Sequence, residues 1–309
     1  MQVGVNGAQL WFDVVGPSLV ADGPQLRTRP TVVAIHGGPA GYDHSYLRPH
    51  LDRLADHAQL LYVDLPGHGR SDHGAAATWS LEGCADDLVA LCDQLGIVQP
   101  LLFGHSMGGY VALLAALRHP GRAGGLLLQA TAAHHDISRI VGGFRARFGD
   151  DLADIAARIF GGGRTTTDEN RRVLDGFGPN RPDDDTYARV IPNPDLEAAT
   201  ARLASFDVVA ELHRIEVPTL ITVGTRDPVT PVAAAREIAD GLSAAHCQLE
   251  VLDDAGHFPW LDAPDRYWPP IERFITTCSL AGSEALSTRS DCRLRPRDII
   301  RYRQRRSCA

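Results

Sequence analysis

Short, uninterrupted apolar runs recur along the chain, separated by segments whose apolar residues fall on one helical face. The runs are TVVAIHGG (31–38), QLLYVDLPG (59–67), PLLFGHS (100–106), GGLLLQA (124–130) and PTLITVG (218–224), and CQLEVLD (247–253) also reads as a strand. A strand with one wet face alternates apolar and polar residues, whereas a strand apolar throughout is buried on both faces. From Leu81 to Leu95, by contrast, apolar residues fall at 81, 84, 88, 91, 92 and 95, one face of a helix. Met107 to His119 and VAAAREIADGL (232–242) also read as helices, and so do LRPHLDRLADHA (47–58) and YWPPIERFI (267–275). This alternation predicts an α/β protein whose mostly parallel central sheet is covered on both sides. The first residues alternate around Asn6-Gly7, a hairpin signal that would add antiparallel strands at one edge. The Pro/Gly-rich stretch before Thr31 reads as a loop.

Between about Thr131 and Leu212 the strand pattern disappears. The segment is rich in Arg and Asp, helical in places such as DDLADIAARIF (150–160) and DLEAATARLASF (195–206), and it is followed by a return to strands. That organisation predicts a core of residues 1–130 and 213–277, interrupted by a helical cap at 131–212 that would shape the substrate site. From Ser279 onward eight Arg face three acidic residues and few residues of a buried type remain, so 278–309 is expected to be an Arg-rich disordered tail.

Composition excludes several chemistries. The net charge of −8 argues against a nucleic-acid partner, since phosphate binding needs clustered positive charge. All thirty basic residues are Arg, so lysine Schiff bases, a phosphate-binding P-loop lysine and a Ser-Lys dyad are ruled out. The six cysteines have neither a CxxC pair nor zinc-like spacing and read as free thiols. Neither a metal nor an organic cofactor is implied. No signal-peptide pattern opens the chain and no apolar run reaches the ~18 residues of a membrane span. A cytoplasmic protein acting on a small molecule, away from membranes, is the expectation.

Gly104-His105-Ser106-Met107-Gly108 fits G-x-S-x-G, with an apolar strand before it and a helix after it. In that setting the serine occupies a strained turn, and glycines relieve the crowding around it. A serine hydroxyl needs a base to take its proton. Of thirteen histidines, His257 in DDAGHFPWLDAP follows the last predicted strand, where loops gather at the carboxyl edge of a parallel sheet. His36 reads as structural, and the His105 side chain is expected to point away from Ser106. The imidazole in turn needs a carboxylate. Asp227 in VGTRDPVTP follows the preceding parallel strand, whereas Asp253 and Asp254 sit on a strand end too close to fold back. The expected catalytic residues are therefore Ser106, Asp227 and His257, in that chain order. Backbone N–H groups of Gly38, in HGGPA, and Met107, at the start of a helix, would form the oxyanion hole.

HGGPA, DLPGHGRSD, GHSMGGY, GTRDPVTP and AGHFPW stand in the order of the α/β-hydrolase superfamily, which residues 1 to 275 resemble. The resemblance implies the α/β-hydrolase fold and a Ser-His-Asp hydrolase. Ser106 stands where epoxide hydrolases and haloalkane dehalogenases carry Asp. HGGPAGYDHSYL resembles the proline iminopeptidase group, although Ala40 replaces the last Gly of HGGPG and DLPGHGRSD differs from DQRGxGxS. GHSMGG is more similar to esterases, lactonases, carbon–carbon bond hydrolases and cofactor-free haloperoxidases. Hydrolysis of a small ester, lactone or amide is the implied activity, with an aminopeptidase as the alternative. An aminopeptidase would need a carboxylate in the cap for the substrate ammonium. The remaining alternative is a non-catalytic ligand-binding member of the fold.

Overall fold

In the computed structural model, which describes residues 1–39, 41–74, 78–243 and 246–289, strands β1 (Gln2–Val5) and β2 (Ala8–Val15) pair antiparallel around Asn6-Gly7. Both turn residues have positive φ, as a two-residue hairpin requires. The stretch expected to be a loop forms a second hairpin, β3 (Leu19–Asp22) with β4 (Gln25–Thr28). It is exposed along almost its whole length, so it carries no apolar alternation to announce it. Strands β5 (Thr31–Ile35) and β6 (Gln59–Val63) come next. The continuous helix expected between them is instead a series of short turns that includes α1 (Arg48–Leu51). Pro49 stands in the first turn of α1, where its missing N–H is tolerated.

Helix α2 (Leu81–Gln94), strand β7 (Leu101–His105), helix α3 (Met107–Arg118) and strand β8 (Gly125–Gln129) complete the first half. A helical insertion follows, with α4 (Ile137–Phe148), α5 (Asp150–Phe160), α6 (Thr167–Asp175), α7 (Asp184–Tyr187) and a 3-10 segment at Pro194–Ser205. The chain then returns through β9 (Thr219–Gly224), α8 (Val232–Gly241), β10 (Cys247–Leu252), α9 (Pro259–Asp262) and α10 (Pro264–Arg289). Helix α10 crosses the boundary expected at 277 without a break. Ile271 and Ile275 are buried in it and Cys278 packs against the same core, one helical face that ties the segment down. Residues 290–309, which hold the rest of the expected tail with Cys292 and Cys308, lie outside the described residues.

The eight-stranded sheet has the order β1-β2-β6-β5-β7-β8-β9-β10. All neighbours from β6 to β10 are parallel, and β1 and β2 are antiparallel at one edge. This is the α/β-hydrolase arrangement expected. Val33 and Ile35 face a core shared with α2, α3 and α8, while Val32 and Ala34 face one shared with α1, α9 and α10. Burial on both faces explains why these strands read as continuous apolar runs. The insertion adds a small third core around Ile140, Phe144, Leu152, Ile155 and Val173, which Val229 from the loop after β9 joins. Cys84, Cys92, Cys247 and Cys278 are free thiols, and among the described residues no helix is long and apolar enough to cross a membrane.

Candidate active site

Parallel strands end at one edge of a sheet, so the loops after β5, β7, β9 and β10 bring together residues far apart in sequence. At the end of β7, Ser106 has φ 55° and ψ −123°, a conformation that L-residues seldom adopt. Its N–H donates to the Gln129 carbonyl at 3.0 Å, and its carbonyl accepts from the Gly109 N–H at 2.8 Å and from Thr131 Oγ1 at 2.7 Å. Tight packing explains the flanking glycines: a Cβ at Gly104 would lie 2.4 Å from the Gly108 carbonyl oxygen, and one at Gly108 2.3 Å from that of Ile35. Ser106 is therefore held on a turn that presents its side chain ahead of α3.

Asp227 follows β9 and is buried. Its Oδ1 accepts the N–H groups of Val229 at 2.8 Å and Thr230 at 3.0 Å. Its Oδ2 accepts Thr230 Oγ1–H at 2.6 Å and His257 Nδ1–H at 2.8 Å. A carboxylate is an acceptor only, so His257 Nδ1 carries the proton of this bond. The two residues expected to pair do so, while Asp253 and Asp254 lie exposed in the turn after β10. Thr230 went unnoticed in the sequence, although TP after DPV places it on the turn that Asp227 caps.

Ser106 and His257 border the same cavity, of about 410 Å³, and so do Gly38 and Met107. Gly38 abuts the Met107 side chain, since a Cβ there would come within 2.9 Å of Met107 Cε. Met107 opens α3, where backbone N–H groups have no partner within the helix. His36 has the structural place expected of it: Nε2 accepts the Leu65 N–H at 3.1 Å.

His105 does more than point away from Ser106. Its Nδ1 lies 2.7 Å from Tyr46 Oη, and its Nε2 lies 2.9 Å from the His257 carbonyl oxygen. Tyr46 Oη also accepts the Gly37 N–H at 2.8 Å. Burial, with His257 nearby adding to it, holds the His105 imidazole well below the ordinary histidine range, so it is neutral. The directions then follow. Gly37 donates to Tyr46, Tyr46 donates to His105 Nδ1, and His105 Nε2–H donates to His257. The chain links the loop of Gly38, the neighbour of Ser106 and the backbone of His257.

A second cluster brings Asp43, His44 and Asp64 within ligand distance of one another. Asp64 Oδ1 accepts the His44 N–H at 3.0 Å and Nδ1–H at 2.7 Å, and its Oδ2 accepts the Arg70 N–H at 2.9 Å. Asp43 accepts the N–H groups of Ser45 at 2.7 Å and Ile191 at 2.9 Å. Protein donors thus occupy these carboxylates, and they brace loops beside the cavity.

Most of the insertion's acidic residues that form ion pairs do so with Arg at the surface, as Asp150 does with Arg145 and Asp151 with Arg172. Among the described residues, Asp184 alone brings a carboxylate to the cavity lining, and it lies 2.9 Å from Arg181 and 3.7 Å from Arg171.

The chain belongs to the α/β hydrolase fold family, whose sequence pattern matches residues 30–264. Its relatives within that family differ in what they act on. The chain is 26% identical over 269 residues to a proline iminopeptidase of Saccharolobus solfataricus, a match that covers 79% of this chain and 84% of the relative. It is 27% identical over 257 residues to a 2-hydroxymuconate semialdehyde hydrolase of Pseudomonas sp. strain CF600, covering 81% and 88%. Among solved structures it is similar to Est816, described as an N-acyl homoserine lactone degrading enzyme. That match has a TM-score of 0.67 and 25% identity over 89% of this chain and all of the other.

Proposed function

We propose that the protein is a serine hydrolase of a small carboxylic ester or lactone, with Ser106, His257 and Asp227 as nucleophile, base and orienting carboxylate. The observation that carries this reading is the Asp227–His257 pair at 2.8 Å, whose imidazole borders one cavity with a serine on a strained turn. Ser106 Oγ attacks the carbonyl carbon as its proton passes to His257 Nε2. The N–H groups of Gly38 and Met107 receive the oxyanion. Collapse breaks the bond to the leaving alkoxide, which takes the proton from the imidazolium. Water, deprotonated by the same imidazole, then releases the acid and restores Ser106. The insertion, as a cap, provides the far wall of the site.

An ester or lactone is favoured over an N-terminal peptide because Asp184, the one cavity-lining carboxylate among the described residues, already faces two guanidinium groups. A substrate ammonium would find no uncompensated partner there. The test combines labelling with substrate comparison. A fluorophosphonate should modify Ser106 in the wild-type protein and nothing in Ser106→Ala, and kcat on p-nitrophenyl acetate should fall by about 10⁶ in that variant. Turnover of a prolyl arylamide in preference to the ester would make the aminopeptidase reading the right one. A folded wild-type protein that fails to label would be a ligand-binding member instead.

A further inference from the structure

We propose that residues 177–180 of the insertion and Asp262 form a latch that sets the position of His257, with Asp262 as a positioning residue. The proposal rests on the serine hydrolase reading for its chemistry, but its geometry stands apart from that reading. The His257 N–H donates to the Phe177 carbonyl at 2.8 Å. One residue earlier, the Gly256 N–H donates to Asp262 Oδ2 at 2.7 Å. The other oxygen of the same carboxylate, Oδ1, accepts from the Asn180 N–H and from Asn180 Nδ2, each at 2.8 Å. Asp262 therefore holds the base loop with one oxygen and the insertion with the other.

The two backbones also touch. A Cβ on Gly256 would lie 2.3 Å from Gly178 Cα, so the residue before His257 must be glycine for the insertion to come down upon it. The Phe177 ring stands edge-on to the His257 ring, with centroids 5.0 Å apart, and it borders the cavity. One residue thus shapes the substrate space with its side chain and anchors the base with its carbonyl.

His257 is held at its carbonyl by His105 from the sheet and at its amide by Phe177 from the insertion. The Nδ1 bond to Asp227 fixes the tautomer, but the ring can point its Nε2 at Ser106 only if the backbone that carries it is fixed as well. The sheet supplies one support and the insertion the other. Asp262, at the end of α9 beside the buried Trp260, is the rigid point that joins them.

Hydrogen exchange at the His257 amide tests the latch without reference to activity, and ester kinetics test its effect on the reaction. Asn180→Ala, a change at an exposed position, should speed exchange of that amide and lower kcat a few-fold. Asp262→Ala should lower kcat by about tenfold or more, with KM altered far less, as expected when a base is displaced by a fraction of an ångström. Asp262→Asn, which keeps one acceptor oxygen, should recover part of that loss. The double variant should be no worse than Asp262→Ala, because both changes act through one carboxylate. Unchanged amide exchange in both Asn180→Ala and Asp262→Ala would overturn the latch. Faster exchange with wild-type kcat would overturn Asp262 as a positioning residue. Wild-type protein that exchanges as expected but does not label at Ser106 would refute the hydrolase reading and leave the latch standing.

Discussion

Tyr46 has one hydroxyl and no charge, yet it fixes which nitrogen of His105 holds the proton. Burial pushes that hydroxyl well above its usual range, so it stays a donor, and the Gly37 N–H occupies its acceptor side. Tyr46→Phe would leave a buried N–H and a buried ring nitrogen unmatched, each worth about 1–3 kcal/mol. We expect a stability loss of about 2–6 kcal/mol by chemical denaturation, the sum of the two. We also expect kcat to fall by about tenfold, because His105 would no longer be committed to donating to His257. Unchanged kcat in a folded variant would make the chain a packing feature only. At this scale the sequence was legible where chemistry is local. Ser106 stands between its glycines, and Asp227 and His257 each follow a strand in the order that the fold requires. Tyr46 and Asp262 were not legible, because their meaning lies in partners that only folding brings near. Tyr46 and His105 are 59 residues apart, and His105 and His257 are 152 apart. No period or spacing in the chain encodes those contacts.

Elements buried on two faces could be read from the sequence, and elements with little burial could not. Strands β5, β7 and β8 inside the parallel sheet are apolar almost throughout because both faces are covered, whereas β3 and β4 are exposed and resemble any polar loop. The insertion falls between these cases: its helices are amphipathic, but their packing depends on one another. Phe144 is fully buried at their centre, with ring centroids 5.9 Å from Phe148 and 6.4 Å from both Phe160 and Phe177. Phe144→Ala should destabilise this layer by about 3–5 kcal/mol. The insertion's core is a cluster distinct from the two sheet cores, joined to them through Val229 and Phe177, so the effect should be mainly local. Trypsin should then cut at Arg145, Arg147 or Arg158 under native conditions, while far-UV circular dichroism stays that of a folded chain. Resistance equal to wild type would mean that the insertion and sheet unfold as one unit.

For the whole molecule, buried histidines set the response to acid. His68 and His105 are buried; burial lowers both, and His68 is pushed down to about 3. A histidine whose folded pKa lies below its unfolded value, ~6.5, adds stability that is complete above that pH and lost as pH falls toward the folded value. Each should remove up to about 1.4 kcal/mol per pH unit below 6.5. Asp64 acts in a lower window. Burial raises it, but hydrogen bonds from His44 and the Arg70 N–H outweigh that and leave it below the ordinary range. Its contribution is present above ~3.9 and disappears only as pH falls further. Urea midpoints should therefore be level from pH 8 to 7 and fall between pH 6.5 and 5, and His68→Gln should flatten that fall. A midpoint independent of pH over that interval would refute the assignment. The two ends of the insertion also lie side by side. His134 bridges Asp207, the His135 N–H reaches the Phe206 carbonyl at 3.0 Å, and the Val208 N–H reaches that of Ala133 at 2.8 Å. The two ends of the insertion are consequently held at a fixed spacing where they leave and rejoin the sheet, so an exchanged insertion would have to keep that spacing. It would also have to carry a segment whose carbonyl accepts the His257 N–H as that of Phe177 now does.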